Sequence, residues 1–207
     1  MKDLKKSFLL LDLDGVIFDS KKNMESAWNK TSKKFELNIP FSLYFKNIGM
    51  PFLKILKSLG VKPNKKIYQF FKNSSLNEMH LIKPYNNVLS LLNILKKKKI
   101  KFSIVTSKDY KRSKILLKKF NIEPCSIHCP NTKLRGKPYP DQLLYSLKKN
   151  KIKIKDACFV GDTKIDFLAA KRAKITFIFA KYGYGKNSSL YKYKITNFKQ
   201  IKNFITY

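Results

Sequence analysis

Short apolar runs recur along the chain, and each is bounded by polar residues or glycine. The first run covers residues 8–13 (FLLLDL), and three similar runs cover residues 101–107, 156–162 and 176–180. Continuous apolar runs of this length are typical of strands that are buried on both faces of a sheet. The pattern therefore predicts four buried β-strands.

Apolar residues between these runs recur at spacings of three and four, which indicates amphipathic helices. The predicted helices cover residues 86–98, 110–120, 140–149 and 165–173. Strands that alternate with helices predict an α/β fold in which helices cover both faces of a parallel sheet. Ligands of such folds bind outside the carboxyl ends of the strands.

A stretch directly after the first strand breaks the alternation. It reads as several helices joined by turns, with helical patterns at residues 24–35, 51–59 and 65–79. We therefore predict an α/β core made of residues 1–20 and 83–207, with a small all-α insertion at residues 21–82 that covers the end of the first strand. The aromatic residues Trp28, Phe35, Phe41 and Phe45 are predicted to form the core of this insertion.

The net charge of +32 is the most unusual property of the composition, and only three of the 45 basic residues are arginines. A strong positive charge is typical of proteins that bind nucleic acids or other polyanions. The excess of lysine, together with frequent Asn and Ile, is also what an AT-rich coding sequence produces without selection for binding. We favour this compositional interpretation, so a nucleic-acid partner is the alternative.

Cysteine usage and hydropathy bear on location. Cys125, Cys129 and Cys158 form an odd set without framework spacing, which favours a reducing compartment. No apolar run approaches the roughly 20 residues that span a bilayer, and no signal-peptide pattern is present. We therefore expect a cytoplasmic protein without a membrane partner, and the sequence leaves the oligomeric state open. Cys125, His128 and Cys129 lack the second ligand pair of a zinc site and are interpreted as buried or loop residues.

Acidic residues are scarce, and several stand at the ends of predicted strands. Asp12 and Asp14 lie two residues apart on a predicted strand, which places both side chains on one face. Two carboxylates held this close repel each other unless one is protonated or a cation lies between them. Asp162 adds a third carboxylate at another strand end. The set predicts an oxygen-rich site that suits Mg²⁺.

Other strand ends offer groups that bind a phosphate. Thr106 and Ser107 supply hydroxyl and backbone donors, and Lys137 can neutralise negative charge. Gly15 permits a tight turn and a close approach of the backbone. These groups favour phosphoryl transfer to a carboxylate nucleophile.

Four segments carry a resemblance to a known family. LDLDGVIFDS, IVTSK, GKPYPD and VGDTKIDFLAAKRA, in this order, resemble the four motifs of haloacid dehalogenase-like hydrolases. The resemblance covers about residues 7–185 and is closest to the branch of phosphoglycolate phosphatases, in which a helical cap separates the first two motifs. It implies a Rossmann-like sheet and a Mg²⁺-dependent phosphomonoesterase that acts on a small phosphorylated metabolite through a phosphoaspartyl intermediate.

The resemblance also implies roles for individual residues. Asp12 would attack phosphorus, and Asp14 would protonate the leaving alcohol and later activate water. Thr106, assisted by the backbone of Ser107, would bind the transferring phosphoryl group, whose charge Lys137 would neutralise. The implied metal ligands are Asp12, Asp14 through its backbone carbonyl, and Asp162, while Asp166 would support either the metal or Lys137.

Two features bear on the choice of substrate. Asp14 is replaced in relatives that cleave carbon–halogen or carbon–phosphorus bonds, so its presence favours phosphate esters. Residues 50–55 nevertheless resemble the segment that carries the Schiff-base lysine of phosphonoacetaldehyde hydrolases, which keeps cleavage of a carbon–phosphorus bond through Lys54 as an alternative. Lys46 and Asn47, in the turn at residues 45–50, are candidates for contacting the substrate, although this turn could equally be a plain loop.

Overall fold

Eight strands form two sheets in the computed structural model, which describes residues 5–131, 133–186 and 188–206. The strands are β1 (Phe8–Leu11), β2 (Phe18–Asp19), β3 (Lys83–Pro84), β4 (Lys101–Val105), β5 (Ser126–His128), β6 (Ala157–Gly161), β7 (Thr176–Ala180) and β8 (Tyr193–Ile195). The main sheet has six parallel strands in the order β5-β4-β1-β6-β7-β8. The antiparallel pair β2-β3 forms a second sheet.

Eight α-helices accompany the strands in the described residues. They are α1 (Lys21–Lys34), α2 (Phe41–Phe45), α3 (Phe52–Ser58), α4 (Lys65–Asn77), α5 (Val88–Lys97), α6 (Tyr110–Lys119), α7 (Asp141–Lys149) and α8 (Lys164–Ala173). None of the helices in these parts of the chain has both the length and the apolar composition needed to cross a bilayer.

Strand β1 runs through the centre of the main sheet and is buried along its whole length. Leu9 and Leu11 point to the face covered by α5 and α6, whereas Phe8 and Leu10 point to the face covered by α7 and α8. A strand with helices on both sides has no polar face, which explains the uninterrupted apolar run. The predicted α/β fold class is confirmed.

Three predicted strands end earlier than expected. The strand predicted to end at residue 13 ends at Leu11, the next ends at Val105 instead of residue 107, and the third covers Ala157–Gly161. After Leu11 the chain leaves the sheet for a turn in which the Gly15 N–H donates to the Phe18 carbonyl at 2.8 Å. Asp12 and Asp14 therefore follow β1 instead of lying on it.

Several short elements were not predicted. Strands β5 and β8 have three residues each, and β2 and β3 have two, which is too short for a periodic pattern to emerge. Helix α2 has only five residues. Pairing with a neighbouring strand or packing on a neighbouring helix decides these elements, and neither is visible in a local window of sequence.

The helices between β2 and β3 pack around their own aromatic cluster. The Trp28 ring stacks on Tyr44 with a centroid distance of 4.5 Å, and Phe52 stacks on Phe71 at the same distance. Trp28 and Phe41 are buried in this cluster, and Phe35 and Phe45 pack against it, as predicted. Because β2 pairs with β3, the two ends of this helical segment lie side by side.

Replacing a leucine of β1 should test the central position of this strand. Leu9→Ala should lower the free energy of unfolding by about 2–5 kcal/mol, because the fully buried site cannot collapse around the lost atoms. Leu144→Ala on α7, where the side chain is 39% exposed, should cost less than about 1 kcal/mol. Urea denaturation of both variants measures the difference, and equal losses would contradict the assigned burial.

Candidate active site

The carboxyl ends of three neighbouring strands bring the predicted polar residues together. Asp12 follows β1, Thr106 follows β4 and Asp162 follows β6, and β1 lies between the other two strands. From β1 the chain proceeds to one side of the sheet, and from β6 it proceeds to the other side. The crevice at such a switch point is where ligands bind in open α/β sheets.

A buried lysine joins two of the acids. Lys137 Nζ lies 2.8 Å from Asp12 Oδ2 and 2.6 Å from Asp166 Oδ1, and its side chain is fully buried. Burial opposes the positive charge, but the two carboxylates outweigh it and raise the pKa of Lys137. Asp166 is itself fixed at the start of α8, where its second oxygen accepts hydrogen bonds from the N–H and the hydroxyl of Thr163.

Asp12, Asp162 and Asp166 form a group in which one oxygen of each lies within 4.8 Å of the others. Burial raises the pKa of Asp12 to about 7 and that of Asp162 well above its ordinary value, and in both cases neighbouring acids add to the effect. Asp162 Oδ2 accepts from the Tyr184 N–H at 2.7 Å, whereas Asp162 Oδ1 is buried without a hydrogen-bond partner. An unpartnered buried oxygen among crowded carboxylates fits a bound hard cation.

Glycines surround the acidic group closely. A Cβ on Gly15, whose φ is +85°, would lie 2.1 Å from Asp162 Oδ2, so the residue serves a tight turn and a close approach, as predicted. The glycine contacts the carboxylate of Asp162 and is not part of the pocket lining within the described chain. Other glycines that a Cβ would force against Asp162 or Asp166 are Gly161, Gly183 and Gly185.

The carboxylate of Asp14 does not join this group, although the sequence pattern placed the Asp12 and Asp14 side chains on one face. Asp14 Oδ2 lies 3.1 Å from Lys108 Nζ, and Asp14 Oδ1 accepts from the Ser20 hydroxyl at 2.5 Å. The reason is that both acids follow the strand, so the alternation of side chains along β1 no longer applies to them. Both acids still line one pocket.

That pocket lies between the strand ends and the helices α1–α4. Its cavity has a volume of about 50 Å³. The Ser107 hydroxyl donates to the Gly49 carbonyl of the helical segment at 2.5 Å, which closes one side. The lining residues are Asp12, Asp14, Met24, Tyr44, Ile48, Gly49, Met50, Phe52, Ile55, Phe71, Thr106, Ser107, Lys108, Arg112, Thr163 and Tyr184.

The turn at residues 45–50 reaches the pocket, but with other residues than predicted. In the described chain Lys46 and Asn47 lie outside the lining; Lys46 is exposed, and the Asn47 side chain donates to the Leu43 carbonyl at 3.0 Å. These two residues continue the outer side of α2, so Ile48, Gly49 and Met50 face the cavity instead.

Lys54 is not placed for a Schiff base in this pocket. Its amine lies over the ring of Tyr139 at 4.5 Å, the residue is exposed, and it is not among the lining residues in the described chain. The alternative based on Lys54 thus has no support from the geometry of the pocket.

The Cys125, His128 and Cys129 segment is structural, as interpreted. His128 Nε2 lies 2.8 Å from the Ser126 hydroxyl, and Cys125 Sγ donates to the Phe102 carbonyl at 2.9 Å. Burial lowers the pKa of His128 to about 4, so the ring is neutral at pH 7. In the described parts of the chain these three residues do not gather as metal ligands.

Sequence reasoning missed the polar residues that support the site. Lys108 and Arg112 are buried in the pocket lining, and burial lowers the pKa of Lys108 while Asp14 opposes the shift. Arg135 forms two hydrogen bonds with the Asp141 carboxylate, and Arg172 donates to the Pro138 carbonyl at 2.7 Å. These last two arginines hold the loop that carries Lys137. The scarcity of arginine in the chain was the available signal.

Tyr184 connects the acids with the helical segment. Its N–H binds Asp162, its hydroxyl oxygen accepts from the Ser20 N–H at 2.6 Å, and its ring contacts Phe45 edge to face. One residue therefore touches the acidic group, the chain segment before α1 and the aromatic cluster.

Comparison with known proteins identifies the family of this chain. A family model described as haloacid dehalogenase-like hydrolase matches residues 9–180. A phosphoglycolate phosphatase from Aquifex aeolicus is 32% identical over 186 residues, which cover 87% of each chain. A phosphoglycolate phosphatase from Pasteurella multocida is 29% identical, with 85% of this chain and 86% of the relative covered.

Solved structures share the fold. A hydrolase from Pseudomonas syringae matches with a TM-score of 0.84 and 24% identity, covering 96% of this chain and 97% of the other. A haloacid dehalogenase-like family hydrolase from Streptococcus pneumoniae matches with a TM-score of 0.82 and 18% identity over 99% of both chains. The chain belongs to the haloacid dehalogenase-like hydrolases. The predicted resemblance to the phosphoglycolate phosphatase branch is confirmed, and the protein is a phosphatase.

Removing the charge of Asp162 should stabilise the metal-free protein. In the unfolded state Asp162 ionises above pH 3.8, whereas the raised pKa keeps it protonated to higher pH in the folded state. The free energy of unfolding of the wild type therefore falls as the pH rises above 3.8. Asp162→Asn mimics the protonated acid and should raise the free energy of unfolding by about 1–3 kcal/mol at pH 8. Denaturation in EDTA at pH 5 and pH 8 should show the larger gain at pH 8.

Asp156→Asn provides the matched control for this comparison, because Asp156 is only partly buried and lies outside the acidic group. It should change stability little at either pH. A loss of stability in Asp162→Asn at pH 8 would contradict the assigned repulsion.

Proposed function

We propose that the protein is a Mg²⁺-dependent phosphomonoesterase that hydrolyses a small phosphorylated metabolite, such as phosphoglycolate, through a phosphoaspartyl intermediate on Asp12. The observation that carries the proposal is the buried group of three acids and Lys137 at adjacent strand ends, directly beside the pocket. The names of the relatives from Aquifex aeolicus and Pasteurella multocida support the choice of substrate.

The proposed metal site uses the side chains of Asp12 and Asp162, with Asp166 in support and the backbone carbonyl of Asp14 as a further oxygen. The unpartnered Asp162 Oδ1 and the raised pKa values of Asp12 and Asp162 are consistent with a missing positive charge. When bound, Mg²⁺ would neutralise charge on the carboxylates and on the phosphate ester. Both oxygens of Asp166 already accept hydrogen bonds, which suits a supporting role.

In the proposed reaction Asp12 attacks phosphorus and the bond from phosphorus to the ester oxygen breaks. Asp14 gives a proton to the leaving oxygen, and then removes a proton from the water that releases phosphate from Asp12. Lys137 favours the ionised form of the nucleophile and holds it in place through its 2.8 Å contact. Thr106 lines the pocket beside both acids and would hold a phosphoryl oxygen.

We further propose that residues 21–82 act as a cap on a core of residues 1–20 and 83–207. The separate aromatic cluster and the β2-β3 pair support this division. The cavity under the cap is small, with a volume of about 50 Å³, which favours a small substrate. The proposal places the enzyme in the cytoplasm, in line with three free cysteines.

The nucleic-acid alternative stays a prediction from the charge. Binding through lysines would weaken steeply with salt, so a filter-binding or fluorescence titration at two ionic strengths would show it. The proposed reaction does not depend on the outcome.

Replacing the nucleophile should abolish turnover. Asp12→Asn should lower Mg²⁺-dependent phosphate release from an aryl phosphate by at least about 10³-fold, because no covalent intermediate can form. Asp19→Asn changes an exposed acid of the same motif and should stay within about threefold of the wild type. Retained activity in Asp12→Asn would rule out the mechanism.

Magnesium should stabilise the folded protein by mass action. Adding Mg²⁺ to EDTA-treated protein should raise the melting temperature, and Asp162→Asn should remove this shift. The affinity should fall as pH falls below about 7, because protons then compete for Asp12. Calorimetric titration at pH 6 and pH 8 measures the change, and equal affinities at both values would be inconsistent with Asp12 as a ligand.

A further inference from the structure

Arg112 is a buried cation in the pocket that the proposed reaction leaves without a role. It lies in the first turn of α6, the helix that follows Thr106, and the residue is 5% exposed. It lines the same pocket as Asp12 and Asp14. A guanidinium that is taken out of water must be compensated by partners of suitable geometry.

The known partners of Arg112 use only part of its capacity. Arg112 Nε donates to Asp109 Oδ2 at 2.5 Å. A guanidinium has five N–H donors in a planar fork. The ring of Phe71 lies 5.4 Å from the guanidinium carbon. Asp109 and Phe71 thus fix the orientation of the group, while further donors are left for a ligand in the pocket.

The rest of the pocket wall contains few other groups that could bind an anion. Residues that the helical segment contributes are largely apolar, and they include Met24, Ile48, Met50, Phe52, Ile55 and Phe71. Lys108 is paired with Asp14 at 3.1 Å. Of the cations in the described lining, Arg112 is therefore the one not committed to a proposed catalytic residue.

We propose that Arg112 is a specificity-determining residue that binds a carboxylate of the substrate, so that the enzyme selects short phosphorylated carboxylic acids over phosphate esters that lack a carboxylate. This inference rests on the proposed function and narrows its substrate class. A carboxylate matches the planar fork of a guanidinium with two parallel hydrogen bonds.

Arg112 is held in place by other residues than those of the proposed phosphoryl transfer. The acid–lysine group with Lys137 lies at the strand ends, whereas Arg112 is held by Asp109 and lies against the ring of Phe71 of α4. A substrate that reaches both groups must carry its carboxylate a short distance from its phosphate. Phosphate esters that lack a carboxylate would leave the buried guanidinium without an anionic partner, which weakens their binding.

Two esters with the same carbon skeleton test the inference. 2-Phosphoglycolate carries the carboxylate, and ethyl phosphate has a methyl group in its place. The wild type should favour 2-phosphoglycolate in kcat/KM by at least about tenfold. Arg112→Met should lose about 10- to 100-fold on 2-phosphoglycolate, mainly through KM, and should change less than about threefold on ethyl phosphate.

Matched variants protect this test against a folding defect. Lys114→Met removes an exposed cation of the same helix and should leave the ratio of the two esters unchanged. Arg112→Lys keeps the charge without the planar fork, so a smaller loss confined to 2-phosphoglycolate is expected. Equal losses on both esters in either Arg112 variant, or no loss in a folded Arg112→Lys protein, would overturn the proposal.

A binding measurement distinguishes a failure of the proposed function from a failure of the proposed role of Arg112. In the Asp12→Asn background with Mg²⁺, 2-phosphoglycolate should raise the melting temperature more than ethyl phosphate does, and Arg112→Lys should reduce this difference. Hydrolysis of neither ester by the wild type would count against the proposed function. Equal shifts from both esters would count against the role of Arg112, whether or not turnover is observed.

Discussion

The ion pairs of Lys137 with Asp12 and Asp166 are the interaction on which the site depends. Several carboxylates are buried together at the strand ends, and burial alone would drive them toward their protonated forms, as the raised pKa values of Asp12 and Asp162 show. Within the described residues, this lysine supplies the one positive charge that contacts the group directly. Removing it would leave buried acids without compensation, which is far more costly than the loss of a surface ion pair.

The parallel sheet brings residues that are far apart in the sequence together at one of its edges. Asp12, Thr106 and Asp162 are far apart along the chain, but each follows a buried parallel strand, and parallel strands end at the same edge. The fold and the position of the acids could therefore be predicted from apolar runs and the polar residues after them. Lys137 could be named as a candidate from the chemistry that a phosphate requires, but its contacts with Asp12 and Asp166 could not be predicted, because a loop without periodicity carries it.

The remaining features of the site depend on contacts that no local pattern records. The direction of the Asp14 side chain is decided by the turn after β1 and by its pairing with Lys108 and Ser20. Lys46 and Asn47 were expected at the pocket, and the continuation of α2 turns them outward. The burial of Arg112 against Phe71 of α4 is likewise a tertiary contact that the local pattern does not show. Side chains placed by tertiary packing were thus beyond sequence reasoning, whereas those placed by strand ends were not.

Scarce residue types mark the functional centre of this lysine-rich chain. The chain has seven glycines, and four of them, Gly15, Gly161, Gly183 and Gly185, have no room for a side chain beside Asp162 or Asp166. Each of the three arginines serves the site: Arg112 lines the pocket, Arg135 lies on the loop that carries Lys137, and Arg172 donates to Pro138 of that loop. In a chain with 45 basic residues, of which only three are arginines, these rare residue types stand at positions where a common residue would not serve. In this lysine-rich chain, the rarity of a residue type therefore indicates where the functional positions lie.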